Sequence, residues 1–255
     1  ITFNGEIYNY LELRAELTSL GHNFRTKSDT EVLLVAYMQW GQRSVDRLNG
    51  MWAFAIHDTR TRTVFCSRDR FGVKPFHYVH IGSMFAFGSE IVQLLPLLPA
   101  VRANREVLSD FLFAGIDEPV HHTFFEGVHK LAGGHSLTIS LDTGEIVSRR
   151  EYSIAHRPAL EAADLSSAVA AYGEKLEDAV QLRLRADVPV GTCLSGGLDS
   201  STVATLAATP YEQVRGERFR AITAVSEEPG NDETPFARAV VERAGLDWIT
   251  VRPTY

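Results

Sequence analysis

Cysteine is scarce in this chain of 255 residues, which holds two, Cys66 and Cys193. They lie far apart, outside any metal-ligand spacing, each within an apolar run. A disulfide framework and a cysteine-built metal site are thereby excluded, and two buried thiols in a reducing, cytoplasmic setting are expected. Long apolar runs are missing too. The longest are strand-sized, well short of the ~20 residues that span a bilayer, so no membrane association is expected. Basic charge is not in excess: 25 Lys and Arg against 32 Asp and Glu leave a net charge of −7. That balance argues against a broad surface for nucleic acid or anionic lipid. Internal repeats and low-complexity tracts are absent. What remains is 45% hydrophobic and 22% charged, enough apolar material for one large core or two ordinary ones.

The first residue is Ile1 rather than methionine, and "ITFNGE" and "WITVRPTY" both read as strands met part-way. The chain is therefore expected to be an interior fragment, with no visible targeting segment. Residues 1–155 mix two helical stretches with many short strands. "EIYNYLELRAELTSLG" has helical apolar spacing and stops at Gly21. "SDTEVLLVAYMQWG" follows, with Ser28 or Asp29 as cap and Gly41 as terminator. The segments "MWAFAIHD", "TVFCSRD", "FHYVHIG", "SMFAFGS" and "HSLTISL" alternate poorly between apolar and polar, as strands do when both faces are buried. "SEIVQLL" and "SDFLFAG" read as short helices and "LDTGEIVSRREY" as a closing hairpin. The polar, alanine-rich stretch at about 154–166 reads as a linker. From 166 to 255 the pattern changes to a serine-capped helix and then strand, helix, strand, helix, strand, the first half of a doubly wound parallel sheet.

The sharpest local signal is "LSGGLDSS" at 194–201, between the apolar strand "DVPVGTC" and a helix. Ligands of open parallel sheets bind at such strand ends, against helix N-termini. Gly196 and Gly197 let backbone N–H groups converge on an anion, and Ser195, Ser200 and Ser201 add hydroxyls. Asp199 would repel a phosphate unless Mg²⁺ lies between them, so Asp199 is the candidate metal ligand. The Gly-Lys-Ser/Thr of a Walker loop is absent. Pyrophosphate held as a leaving group, after attack on the α-phosphate of ATP, suits the loop better than γ-phosphate transfer. Read as letters alone, SGG is also a tight strand-to-helix turn.

At the other end, "FNGE" puts an amide side chain and a glycine N–H side by side, the donor pair of an oxyanion hole. Two carboxylates accompany it: Glu6 beside Gly5, and Asp29 at a helix start. Asn-Gly is equally a turn signal, and Asp29 equally a helix cap. "SRDRFGVKP" gathers Arg68, Arg70 and Lys74 around Asp69 and reads as a salt-bridged structural turn. His121 and His122 have no third ligand at metal spacing and read as a loop pair.

As a whole, "DVPVGTCLSGGLDSS" resembles the PP-loop of ATP pyrophosphatases in its asparagine synthetase form. "FNGEIYNYLELRAEL", "TKSDTEVLLVAY", "LNGMWAFAIHD", "SRDRFGVKPFHY" and "FGSEIVQLL" resemble, in order, the class II glutamine amidotransferase domain of the same family. The resemblance implies an αββα sandwich of antiparallel sheets over 1–155 (the Ntn-hydrolase type) and the beginning of an ATP-dependent synthetase domain over 166–255. It implies that Asn4 and Gly5 form the oxyanion hole and that Glu6 and Asp29 bind the α-amino group of glutamine. It implies that Ser195, Gly196, Gly197, Leu198, Asp199, Ser200 and Ser201 hold pyrophosphate and Mg²⁺. The backbone of Cys193 and that around Ala224 and Val225 would flank adenine. The substrates implied are glutamine, aspartate and ATP, the product asparagine, and the assembly a homodimer. The family's nucleophile is a cysteine at the mature N-terminus, and this chain starts with Ile1, so the chain by itself is not expected to hydrolyse glutamine. Macrolactam- and β-lactam-forming synthetases share the architecture and are the nearest alternative. A non-catalytic nucleotide-binding module is the alternative of another class.

Overall fold

The computed structural model describes residues 1–117, 120–154, 164–226 and 232–253. The chain divides into two compact units, Ile1–Ala155 and His156–Tyr255.

In the first unit the elements run β1 (Thr2–Ile7), α1 (Tyr10–Ser19), α2 (Asp29–Trp40), β2 (Gly50–Asp58), β3 (Thr63–Arg68), β4 (His77–Ile81), β5 (Met84–Gly88), α3 (Arg105–Ala114), β6 (Val128–Lys130), β7 (His135–Ser140) and β8 (Ile146–Glu151). They build two antiparallel sheets, β1-β2-β3-β7-β8 and β5-β4-β6. The apolar run of β2 is explained by its place inside the stack. Trp52, Phe54 and Ile56 pack against Leu13 and Leu17 of α1 and Val32, Leu33 and Ala36 of α2. Ala53 and Ala55, on the opposite face, meet Phe76 and Tyr78 at the second sheet. A strand buried on both sides has no polar position to alternate with. Burying each of the larger of these side chains contributes about 1.5–3 kcal/mol. The second sheet is covered on its far side by Leu94, Leu95 and Leu98 and by Phe125. This outer layer is thinner than a full helical layer. "SEIVQLL" forms two 3-10 turns, Ile91–Gln93 and Leu95–Leu97, and α3 buries Val107 while Phe113 is 89% exposed.

The loop "SRDRFGVKP" is held chiefly by charge-to-backbone bonds rather than by the expected salt bridges. Asp69, 1% exposed, accepts N–H bonds from Trp52, Phe71, Val73 and Lys74. Arg68 donates to the carbonyls of Gly72, Lys74 and Leu131, and Arg70 to that of Leu48. Charged side chains satisfy buried backbone groups well because such bonds are stronger than neutral ones.

The second unit comprises α4 (Leu165–Arg183), β9 (Gly191–Cys193), α5 (Leu198–Arg215), β10 (Arg220–Ala224), α6 (Thr234–Ala244) and β11 (Asp247–Val251). The strands are parallel in the order β11-β10-β9. Ala204, Ala207, Tyr211, Ala221 and Ala237 form the core between sheet and helices, with Val180 of α4 beside them. Helix α5 continues through Pro210, against the proline's preference. Tyr211, 3% exposed and edge-on to Phe219 at 5.2 Å, supplies the packing that offsets the ~3 kcal/mol cost of an interior proline. The cap of α4 is Asp164, not a serine: its carboxylate accepts the Ser167 N–H at 3.0 Å. Cys66 is buried as expected, but Cys193 is exposed. It shares a sheet face with Ile222, Ala224, Ile249 and Val251 that no described element covers. Among the described residues no helix is long and apolar enough to cross a membrane.

Candidate functional site

Two sets of chemistry-bearing residues emerge, one in each unit. In the first, Asn4, Gly5 and Glu6 lie together in β1, an edge strand of the larger sheet. The turn that Asn-Gly signals does not form there. A Cβ on Gly5 would overlap the carbonyl oxygen of Met51, and one on Gly50 that of Glu6. Both glycines therefore exist to let β1 and β2 approach, a demand invisible in the letters. Asn4 sits opposite Ala53, and its Nδ2 lies 3.5 Å from Ser89 Oγ. Asp29 is brought to the end of the same strand: its Oδ2 accepts the Ile7 N–H at 3.0 Å.

Asp29 is not the helix cap. Ser28 caps α2 by accepting from the Thr30 N–H at 3.1 Å, which leaves Asp29 in the first helical turn. The preceding loop is clasped by Glu31, whose carboxylate accepts the Thr26 hydroxyl at 2.7 Å and the N–H groups of Arg25 and Thr26 at 2.8 and 2.7 Å. The Thr26 hydroxyl, then those two N–H groups, hold its pKa down at about 2. Arg14 adds bonds to the carbonyls of Thr26 and Ser28. The sequence marks Glu31 as an acid in the first turn of the helix but not as a clasp, and does not mark Arg14, because their partners are groups that only the folded loop presents.

In the second unit the chain leaves β9 at Cys193, passes buried Leu194, and enters α5 at Leu198. Gly196 has φ +86°, and a Cβ on it would lie 2.5 Å from both the Ala237 nitrogen and Phe236 Cβ, against the first turns of α6. Gly197 caps α5 with no side-chain hydrogen bond. The serine or aspartate cap of an ordinary turn is thus absent, and the first-turn N–H groups keep their capacity to bind an anion. The hydroxyls gather on the same turn. Ser195 Oγ and Ser200 Oγ are 3.0 Å apart, and Ser195 Oγ accepts the Gly197 N–H at 3.2 Å. Ser201 Oγ is buried without a partner among the described residues. Asp199 is exposed in the first turn of α5, and Leu198 beside it is 84% exposed. Ala224 and Val225 stand at the carboxyl end of β10, whose Ile222 pairs with Cys193, so the fold brings them next to the loop. His121 and His122 stand among other imidazoles: His121 packs edge-on to His135 at 5.5 Å and His122 faces His129 at 6.2 Å. No group of three or more metal-ligating side chains occurs among the described residues.

Each of the two units matches a known family. Residues 1–152 match the glutamine amidotransferase domain family, and residues 171–254 match the asparagine synthase family. The chain belongs to the glutamine amidotransferase domain family, and its second part resembles asparagine synthase. It is 41% identical over 215 residues to asparagine synthetase [glutamine-hydrolyzing] 3 of Bacillus subtilis, an alignment covering 84% of this chain and 34% of that one. It is 37% identical over 246 residues to a putative asparagine synthetase of Methanocaldococcus jannaschii, covering 95% and 46%. A putative asparagine synthetase of Mycobacterium tuberculosis is 38% identical over 260 residues, covering 98% and 38%. The chain thus spans between a third and a half of the length of these three relatives. Within the family frame, β1 with Asp29 belongs to the amidotransferase match and the glycine loop to the synthase match.

Two residues of the loop's surroundings escaped the sequence reading. Thr223 and Trp248 lie on β10 and β11 and are joined to the base of the loop by hydrogen bonds. The available signal was a threonine between apolar residues in "RAITAV", at an inward position where a β-branched hydrocarbon would pack better.

Proposed function

We propose that the protein is a glutamine-dependent asparagine synthetase. Glutamine is hydrolysed to glutamate and ammonia. The β-carboxylate of aspartate attacks the α-phosphate of ATP, giving β-aspartyl-AMP and pyrophosphate. Ammonia then displaces AMP and asparagine is formed. The observation that carries this reading is the loop 194–201. Its hydroxyls converge on an uncapped helix start, one of them lacks a partner among the described residues, and a carboxylate stands in the same turn.

Ser195, Ser200 and Ser201 and the N–H groups of Gly196 to Asp199 would hold the pyrophosphate, with the backbone of Cys193, Ala224 and Val225 beside the base. Asp199 would hold Mg²⁺, which neutralises phosphate charge when bound. In the first unit Asn4 and Gly5 would stabilise the oxyanion, and Glu6 and Asp29 would grip the substrate ammonium. A cytoplasmic setting and a homodimer complete the reading, the first supported by an exposed free thiol.

The test is isotope exchange between ATP and pyrophosphate in the full-length protein, with and without aspartate. Exchange should require aspartate and should fall at least a hundredfold in Asp199→Ala. Exchange promoted equally by other carboxylates points to the lactam-forming chemistry instead. Nucleotide binding with no exchange points to a non-catalytic module.

A further inference from the structure

Thr223, we propose, is a positioning residue for the nucleotide loop: its buried hydroxyl holds the peptide from which the loop departs. The inference rests on the reading of residues 194–201 as the ATP site, and it names what keeps that site in shape. Leu194, 1% exposed, is the last residue before Ser195. Its peptide groups are held on both sides by β10. The Leu194 N–H donates to the Ile222 carbonyl at 2.8 Å, and the Leu194 carbonyl accepts from Thr223 Oγ1 at 2.7 Å.

A hydroxyl has one proton, so its direction decides what it holds. Trp248 Nε1 lies 2.9 Å from Thr223 Oγ1. An indole N–H only donates, so the threonine must accept there and its own proton is left for Leu194. One hydroxyl therefore ties β9, β10 and β11 together where the chain leaves the sheet. Arg238 of α6 lies over the Trp248 ring at 5.2 Å, and the same helix abuts Gly196 through Phe236 and Ala237. The loop is thus held at its base through Thr223 and at its crest by α6.

Thr223 is 2% exposed on the apolar face of the sheet. A hydroxyl buried there is unfavourable unless bonded, and valine has the same shape without that cost. The threonine is accounted for by the carbonyl it orients.

The experiment compares Thr223→Val, Thr223→Ser and Trp248→Phe in the full-length protein. Amide hydrogen exchange over residues 194–200, without ligand, reads the positioning directly. Mg–ATP affinity, the KM for ATP and kcat read its consequence. In Thr223→Val, exchange over the loop should rise about tenfold, with α4 and the first unit unchanged, since a buried carbonyl loses its donor. The KM for ATP should rise by a similar factor, kcat should change less, and the KM for glutamine should not change. Thr223→Ser should restore both to within about twofold, and Trp248→Phe should fall between. Unchanged loop exchange in Thr223→Val overturns the inference. Equal impairment of the serine and valine variants also overturns it, because the methyl group rather than the hydroxyl would then matter. A looser loop in a protein whose unaltered form binds no nucleotide leaves Thr223 in its role and removes the ATP reading instead.

Discussion

A single methyl added to either of two adjacent glycines should give opposite results. Gly196 has φ +86°, where an L-residue costs about 1–2 kcal/mol more than glycine. Its added Cβ would lie 2.5 Å from the Ala237 nitrogen and 2.7 Å from the Phe236 carbonyl carbon. Those are helix backbone atoms, so relief requires moving the start of α6, for a further ~1–3 kcal/mol. Together, about 2–5 kcal/mol is a large share of the ~5–15 kcal/mol that holds a typical domain. Gly197 has φ −68° and ψ 166°, ordinary values for any residue, and its Cβ would meet Ser195 Oγ alone, at 3.3 Å. Alanine there should be close to neutral: it restricts the unfolded chain, by up to ~1 kcal/mol, but it is a poorer helix cap than glycine. Gly245 isolates the conformational part: its φ is +68° and nothing lies within 4 Å of an added Cβ. Amide exchange protection of α5 and α6, which reports the free energy of local opening, is the assay. Protection should fall at least about thirtyfold in Gly196→Ala, about five- to thirtyfold in Gly245→Ala, and little if at all in Gly197→Ala. Equal losses in Gly196→Ala and Gly245→Ala would show that the loop does not depend on its contact with α6.

Asp69→Asn should destabilise the first unit by roughly 2–4 kcal/mol in urea unfolding. Each Asp69 oxygen accepts two N–H bonds, and an amide NH₂ would face two donors in either orientation. The same unit should lose stability as the pH falls. Burial lowers the pKa of His77, His121 and His129 from the ordinary 6.5, aided at His121 by His135 and His122 and at His129 by His122 and Arg149. The folded state therefore disfavours the charged form. Stability is intact above about pH 6.5 and falls as the unfolded chain takes up protons below it, levelling off beneath the folded values. Glu31, held near 2, weakens the fold only below about pH 4.5, so a loss between pH 7 and 5.5 belongs to the histidines. His129→Gln should flatten the slope in that window, measured as unfolding free energy against pH. Finally, a maleimide should modify exposed Cys193 in the native protein. Cys66, fully buried with its thiol pKa pushed far up, should react only in denaturant, as mass spectrometry of the labelled peptides would show.

The features legible in the sequence are those encoded by neighbours along the chain. The strand-to-glycine-to-helix order around Leu194–Ser201 was readable because its signals are adjacent letters. So were the doubly buried runs of β2 and β3, the Ser28 cap that was one of two options, and the glycine stop after α2. Charge clusters were readable as clusters, but their partners were not: Asp69 and Arg70 serve backbone groups brought from distant strands.

Asn4–Gly5 looks like a turn in isolation and is strand in the fold, because β2 approaches too closely for a side chain. Cys193 sits in an apolar run yet faces outward, because burial depends on which sheet face is covered. By itself, the sequence determined the two-part layout, the local turn and helix signals, and the family resemblance of each part. Tertiary structure alone decided which of two identical glycines is indispensable, and why Thr223 matters. Both answers depend on contacts between segments more than 25 residues apart, and proximity of that kind exists only after the chain has folded.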